Sequence, residues 1–483
     1  MGTAGAASAA PLLGTRGSAE TADWDGMLNL IVIVVDTLGT HWLGCYGNQE
    51  IRTPSVDGLA RKSLLFQDAY PEALPTIPDR RSIYTGRRIF PSDYVLQNYD
   101  TTKIRGWHQL YVEDVTLSET LRGAGYTTCL IGDVFFLFFP DRNFARGFNS
   151  WRAIRGQHID PYETGPRKGI NPRDFAHPTQ WGPSGITEWM MPYLINRQFR
   201  QSDDDYPTSQ VFQEAARWLE NNIEDNQPFY MHLESFSPHE FWDPPEDYYR
   251  LYMKSDYKGP RLIYPPTTTA RMTPLEVEHV RALYAGYVTF VDSRIGRFLN
   301  KVDELGLMEN TVILFTADHG TMMGEQGQFH KGEGRGRTQV THVPLMVYHP
   351  QQPWAGRRVF GFVQHTDVMP TLLDILGVEI PSRVTGESLK PLMESGGSSR
   401  RQMIVTGWND HATIRTQEWL YQGRWNPGQA FEELYDVRRD PLELENVNFR
   451  YPDLVKDFRA QLKDYVDSGW EITRGTFATV LPG

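Results

Sequence analysis

The sequence predicts an α/β fold, with a mostly parallel central sheet flanked by helices and a smaller C-terminal α+β part. Three observations predict it. Several short apolar runs are continuous rather than alternating, as in strands buried on both faces. Segments of helical spacing lie between those runs, so helices are expected to carry the chain from one parallel strand to the next. The 483 residues, with 40% hydrophobic and 12% aromatic content, suffice for one large domain with an appendage.

In chain order, the opening "MGTAGAASAAPLLGTRGSAETADWDG" has small residues but neither a charged start nor a sustained apolar run. It predicts a disordered tail over residues 1–27 rather than a signal peptide. The first strand is "NLIVIVVD" at 29–36. The segments "YTTCLIGD" (126–133), "PFYMHLESF" (228–236), "NTVILFTADHG" (310–320), "VPLMVYHP" (343–350) and "QMIVTGW" (402–408) read similarly. Val211, Phe212, Ala215, Trp218, Leu219 and Ile223 follow helical spacing. A longer helix is predicted over 274–300, through Leu283, Tyr287, Val291 and Ile295. The stretch "SGGSSRR" near 396 marks a boundary, giving a main domain over 28–395 and an α+β subdomain over 396–483.

A net charge of −12 with scattered Lys and Arg argues against a nucleic-acid surface, so an anionic ligand would need a local basic pocket. Cys45 and Cys129 are the only cysteines, and they form neither a disulfide framework nor a zinc-binding spacing. No apolar run approaches a membrane span. The expectation is a soluble, cytoplasmic protein without a membrane or nucleic-acid partner.

In parallel sheets, ligands sit at the carboxyl ends of strands, and the best polar candidates fall there. Asp36 ends the first strand; a carboxylate buried at that point needs a partner or a metal, although a helix cap shared with Thr37 is the plain alternative. Asp318 and His319, in "TADHG", offer an oxygen and a nitrogen ligand at a second strand end, where a simple turn is the alternative. His239 in "SPHEFWDPP" and Lys331 in "FHKG" are candidates for proton transfer or anion binding. His232, inside a strand, reads as a satisfied core histidine, and His330 stays open between a ligand contact and a loop role. In "LPTIPDRRSIYTG" (74–86), Thr76 is either a turn hydroxyl or a nucleophile. Arg80 lies one helical turn on, with Pro78 in the first turn, where proline is tolerated. That would set the hydroxyl at a helix N-terminus, a place suited to anions.

Taken together and in order, "VDTLGTHWLGCYGN", "TPSVDGLARKSLLFQDAY", "TIPDRRSIYTGRR", "LRGAGYTT", "SPHEFWDPP", "VDSRIGRFLNKVDELGLMENTVILFTADHGTMMGEQGQFHKG", "HTDVMPTLLDILG" and "ELYDVRRDPLELENV" resemble the sulfatase family of the alkaline phosphatase superfamily. The Asp-His pair is similar to the phosphonate monoester hydrolase branch. The resemblance implies an alkaline phosphatase/sulfatase-like fold and an ester hydrolase. It makes Asp36, Asp318 and His319 ligands of one divalent cation, joined by Thr76 at the position of the catalytic residue. The ion is Mn, Ca, Mg or Zn, with Mn or Ca favoured. Arg80 would hold Thr76 or the substrate anion, while Lys331 and His239 would contact the anionic group or leaving oxygen of a small-molecule ester. Soluble relatives often assemble, so a homo-oligomer stays open.

The departures carry the functional reading. Sulfatases convert Cys or Ser at position 76 to formylglycine, an aldehyde that threonine cannot form. Thr37 stands where a second Asp is usual, and His41 where relatives often carry Asp. The segment resembling Gly-Lys-x-His reads Gly132-Asp133-Val134-Phe135-Phe136, without the cation or the imidazole. The aldehyde hydrate lets a sulfated intermediate expel sulfate by elimination, an exit closed to threonine sulfate. Threonine phosphate can instead be attacked in line by water. The expectation is therefore a metal-dependent hydrolase with Thr76 as nucleophile, acting on a phosphodiester or a phosphonate or phosphate monoester. The alternatives are a sulfatase working without formylglycine, a phosphoryl or phosphoethanolamine transferase, and an anion-binding pseudoenzyme.

Overall fold

The computed structural model describes residues 26–92, 104–139, 142–181, 186–223, 227–425 and 431–476. The tail expected over residues 1–27 falls, up to residue 25, outside the described residues.

The strands in chain order are β1 (Asn29–Val35), β2 (Ser63–Tyr70), β3 (Thr127–Gly132), β4 (Ser150–Ala153), β5 (Phe229–Ser235), β6 (Thr311–Ala317), β7 (Met322–Met323), β8 (Phe329–His330), β9 (Val343–Tyr348), β10 (Arg358–Gln364), β11 (Met403–Trp408), β12 (His411–Thr416), β13 (Trp419–Arg424) and β14 (Glu432–Asp436). Eight of them form one twisted sheet in the order β10-β2-β9-β6-β1-β5-β3-β4. All its pairings are parallel except those of β9, which runs antiparallel to β2 and β6. The short β7 and β8 pair with each other, and β11 to β14 form a separate antiparallel meander.

The uninterrupted apolar run of β1 follows from its central place. Ile31, Ile33 and Val35 pack on one face with helices Pro54–Lys62, Pro207–Asn222 and Pro274–Glu304. Leu30, Val32 and Val34 pack on the other with helices Thr76–Thr85, Leu117–Gly123 and Val368–Leu376. With helices on both faces, neither set of alternate side chains is left to solvent. Two sequence expectations are corrected here. The run 343–350 forms the one antiparallel strand of the main sheet, and 402–408 forms the first strand of the C-terminal meander, because a buried apolar run does not encode its direction. Helix Pro452–Thr473 covers that meander through Val455, Phe458, Leu462 and Val466.

The second sheet also steadies the segment leading to Thr76. Thr406 donates from Oγ1 to the Pro71 carbonyl at 2.7 Å, Gly407 N donates to the Glu72 carbonyl at 3.0 Å, and Leu74 N donates to the Gly407 carbonyl at 2.7 Å. A Cβ on Gly407 would meet the Phe90 ring at 2.0 Å, so only glycine permits this approach. Among the described residues, no helix is long and apolar enough to cross a membrane.

Candidate active site

Three parallel strands end together, and each contributes a carboxylate. Asp36 follows β1, Asp318 follows β6, and Glu234 is the penultimate residue of β5; all are fully buried. Their common partner is Arg80, also fully buried, one turn into helix Thr76–Thr85. Its Nη1 lies 2.6 Å from Asp318 Oδ2, its Nε 2.9 Å from Glu234 Oε2 and its Nη2 3.2 Å from Asp36 Oδ2. Nη1 also donates to the Thr76 carbonyl at 3.1 Å, which fixes the first helical residue against the cluster. The spacing of four between Thr76 and Arg80 thus brings them together on one turn. Asp79, in the same turn, holds the helix to the end of β10 through His365 at 2.8 Å.

Asp318 accepts from the backbone N–H groups of Thr37 at 2.9 Å and His319 at 2.7 Å. The Thr37 hydroxyl donates to Asp36 Oδ1 at 2.6 Å. Thr37 itself has a left-handed backbone, φ 63°, which is strained for a β-branched residue. Asp36 therefore does not cap a following helix; it faces inward. Gly320 closes the loop after His319, where a Cβ would lie 2.2 Å from the Gln339 carbonyl oxygen.

The electrostatics of this cluster are unbalanced. Three carboxylates surround one guanidinium. Burial, together with repulsion from Asp318, pushes the Asp36 carboxyl well above its ordinary range. Burial also acts to raise Asp318, but His319 and Arg80 outweigh it and hold this partner low. The His319 ring is held neutral, at about 4, by burial against the opposing pull of Asp318. His319 Nε2 is buried without a hydrogen-bond partner, and Asp36 Oδ2 has only the 3.2 Å ion pair with Arg80. The ligand atoms of Asp36, Asp318 and His319 lie within 4.8 Å of one another. Two carboxylates, a neutral imidazole and two negative charges in excess fit a divalent cation.

On the far side of Thr37 lies a second cluster around Glu240. This carboxylate meets His330 Nδ1 at 2.7 Å, His239 Nδ1 at 3.0 Å and Lys331 Nζ at 3.4 Å. Lys331 also donates to the Thr37 hydroxyl oxygen at 3.4 Å, linking the two clusters. His330 is stacked between Trp242 and Tyr264, with centroids at 5.1 and 4.3 Å, and its Nε2 meets the Pro265 carbonyl at 2.8 Å. That resolves its open position as a structural support of Glu240. Burial and Lys331 push His239 well below its ordinary value, so its ring is neutral. With Nδ1 engaged by the Glu240 carbonyl at 2.7 Å, Nε2 is the free nitrogen. Burial acts to raise Glu240, but Lys331 and the two histidines keep it ionised.

Every sequence candidate is therefore in one region, in two linked groups: Asp36, Thr76, Arg80, Asp318 and His319 in one, His239 and Lys331 in the other. His232 is satisfied in the core, between the Tyr230 hydroxyl at 2.7 Å and Glu234 at 3.0 Å. Asp133, where a cation was expected by resemblance, serves structure. It accepts from Phe236 N at 2.6 Å, Gln157 Nε2 at 3.2 Å and Thr208 Oγ1 at 3.3 Å, and burial pushes it up to about 7. Glu234, Glu240 and Asp79 escaped the sequence reading. For Glu234 a signal existed, since a charged residue inside the apolar run "FYMHLES" has to find a buried partner.

Residues 28–378 match the family model described as Sulfatase. The chain belongs to the sulfatase family. A second model, N-sulphoglucosamine sulphohydrolase, C-terminal, matches residues 324–468. The arylsulfatase of Clostridium perfringens is 27% identical, over 91% of this chain and 96% of the relative. The multifunctional alkaline phosphatase superfamily protein PehA of Trinickia caryophylli is 26% identical, over 77% and 78%. Among solved structures, the phosphonate monoester hydrolase of Agrobacterium radiobacter superposes with a TM-score of 0.70 at 22% identity, covering 91% of this chain and 96% of the other. Sulfatases are ester hydrolases that use a divalent metal ion. This sulfatase-family chain keeps a donor set for one at Asp36, Asp318 and His319.

Proposed function

We propose that this sulfatase-family hydrolase transfers a phosphoryl rather than a sulfuryl group, with Thr76 as nucleophile and a monoanionic phosphodiester or phosphonate monoester as substrate. The observation that carries this reading is the residue at position 76. Its hydroxyl begins the helix that holds Arg80 against Asp36 and Asp318, and threonine cannot become an aldehyde.

Asp36, Asp318 and His319, with the Thr76 hydroxyl, would hold the metal. A divalent cation bound there supplies positive charge that acidifies the hydroxyl and polarises a substrate oxygen. The chain's own residues supply the rest. Arg80 orients the first turn and offsets the carboxylates. The neutral His239 accepts the Thr76 proton at Nε2, and ionised Glu240 beside Nδ1 stabilises the imidazolium that forms. As the Thr76 Oγ–P bond forms, the bond from phosphorus to the leaving oxygen breaks, and His239 passes its proton to that oxygen. Water then attacks the phosphothreonine in line. Its proton goes to His239 and on to the departing Thr76 oxygen, restoring the hydroxyl.

Charge favours a monoanion. Lys331 is already paired with Glu240 and Arg80 with three carboxylates, so little positive charge remains for a dianionic phosphate monoester. The test is initial rates on matched p-nitrophenyl sulfate, phosphate, phosphodiester and phenylphosphonate with Mn, Ca or Zn, and Thr76→Ala as blank. Turnover of the two monoanionic phosphorus esters, lost in the variant, is expected. Thr76-dependent turnover of the sulfate overturns the proposal.

A further inference from the structure

We infer that His158 is a substrate-contacting residue of this site, donating a hydrogen bond from Nε2 to an oxygen of the bound anion beside His239. The inference rests on the reading of the site as one for a monoanionic phosphorus ester.

His158 lies in the loop after β4, distant in sequence from every candidate, yet its ring stands perpendicular to His239 with centroids 5.1 Å apart. Phe236, on which His239 is stacked at 4.2 Å, is 5.6 Å from it. Phe135, Phe136, Trp189 and Phe241 complete an aromatic cage. Such a cage explains a phenylalanine at position 158, not a histidine. Nδ1 is buried without a partner, and no described residue hydrogen-bonds the ring. Nε2 is not among the buried unpartnered atoms, so it is the ring nitrogen left to meet a ligand.

Two further features point to a function. The backbone at His158 is left-handed, φ 49°, and the loop that imposes this is firmly built. Asp160 accepts from Gly156 N at 2.7 Å and from both Arg155 nitrogens at 2.7 and 2.6 Å, while Gln157 reaches Asp133 and Ser237. The ring also senses the site's charges. Burial holds it neutral, at about 3, against Glu240 and with help from Lys331.

A neutral imidazole carries one N–H. Placing it on Nε2 leaves only a lone pair unmet at Nδ1, a smaller penalty than a buried unmet donor. His158 then gives the anion a donor without adding charge, in keeping with a monoanionic ligand. The aromatic rings around it form an apolar wall suited to an aryl or alkyl ester group.

The test compares His158→Phe, which keeps a ring in the cage, with His158→Gln, which restores a donor. Both are measured with Mn by melting temperature, by calorimetric titration with inorganic phosphate, and by kcat and KM on p-nitrophenyl phenylphosphonate. His158→Phe should fold, bind phosphate about 10- to 100-fold more weakly and lose a similar factor in kcat/KM, as for a hydrogen bond to a charged group. His158→Gln should recover most of both. Unchanged phosphate affinity in His158→Phe, or equal losses in the two variants, overturns the inference. Phosphate binding decides the matter even if wild type turns nothing over. Phosphate binding involves no covalent step, so failure of Thr76 as nucleophile, read in turnover, and failure of the His158 contact, read in phosphate affinity, are distinct outcomes.

Discussion

Replacing Arg80 by methionine removes the cation that, among the described residues, touches Asp36, Asp318 and Glu234, at 3.2, 2.6 and 2.9 Å. All four side chains are out of water, so the three carboxylates are left with no compensating charge. Breaking a buried pair in this way costs about 3–5 kcal/mol. An unfolding entropy of about 2 cal/mol/K per residue gives about 1 kcal/mol/K for a chain of this length, so the melting temperature in chelator should fall by about 3–5 °C. Added Mn should restore much of the loss, because two of the orphaned carboxylates are its proposed ligands. The rise on adding Mn should therefore be larger in Arg80→Met than in wild type. The deficit should also be smaller near pH 6 than near pH 8, since Asp36 already tends to take up a proton. Scanning fluorimetry at both pH values, with EDTA or Mn, reads all of this. A variant that melts with wild type in EDTA, or gains no more than wild type from Mn, would refute the charge-balance reasoning.

Three further outcomes follow from the same geometry. Glu240→Gln removes the carboxylate that supports His239 and neutralises Lys331, so kcat should fall about 10- to 100-fold while KM for an anionic substrate does not rise; steady-state kinetics read the split. Thr37→Asp gives the left-handed position a residue that tolerates it better and adds a carboxylate beside Asp36, so calorimetry should show metal binding tightened about tenfold or more. Burial raises Glu72 and Asp133 to about 7 and Asp79 and Asp292 to about 6. Because the folded state then binds more protons than the unfolded one between about pH 4 and pH 7, stability should fall as pH rises through that window, and Asp133→Asn should flatten the melting-temperature profile.

The sequence exposed most of the architecture where burial is two-sided. β1, β3, β5 and β6 sit inside the sheet with helices on both faces, so their runs are largely apolar, β5 being interrupted by His232 and Glu234. β10 and β4 lie at its edges and expose Arg358, Phe360, Trp151 and Arg152, which dilutes the pattern, and β2 is interrupted by the polar pair Gln67 and Asp68. The direction of β9 was not legible, because an antiparallel strand buried on both faces reads like a parallel one. Within the site, Asp36, Asp318 and His319 were legible as polar residues at the ends of apolar strands. Glu240 and His158 were not, since their meaning lies in partners contributed from distant segments: His330 and Lys331 for the first, His239 for the second.

The central claim is a covalent phosphoryl link to Thr76, and its most direct test is a rapid acid quench of the Mn-loaded protein with bis-p-nitrophenyl phosphate, followed by peptide mass mapping. A p-nitrophenylphosphoryl group is expected on the Thr76 peptide, formed with release of one p-nitrophenol and absent from Thr76→Ala. Turnover with no adduct at any quench time, undiminished in Thr76→Ala, or a sulfated Thr76 peptide after quenching with p-nitrophenyl sulfate, would contradict it.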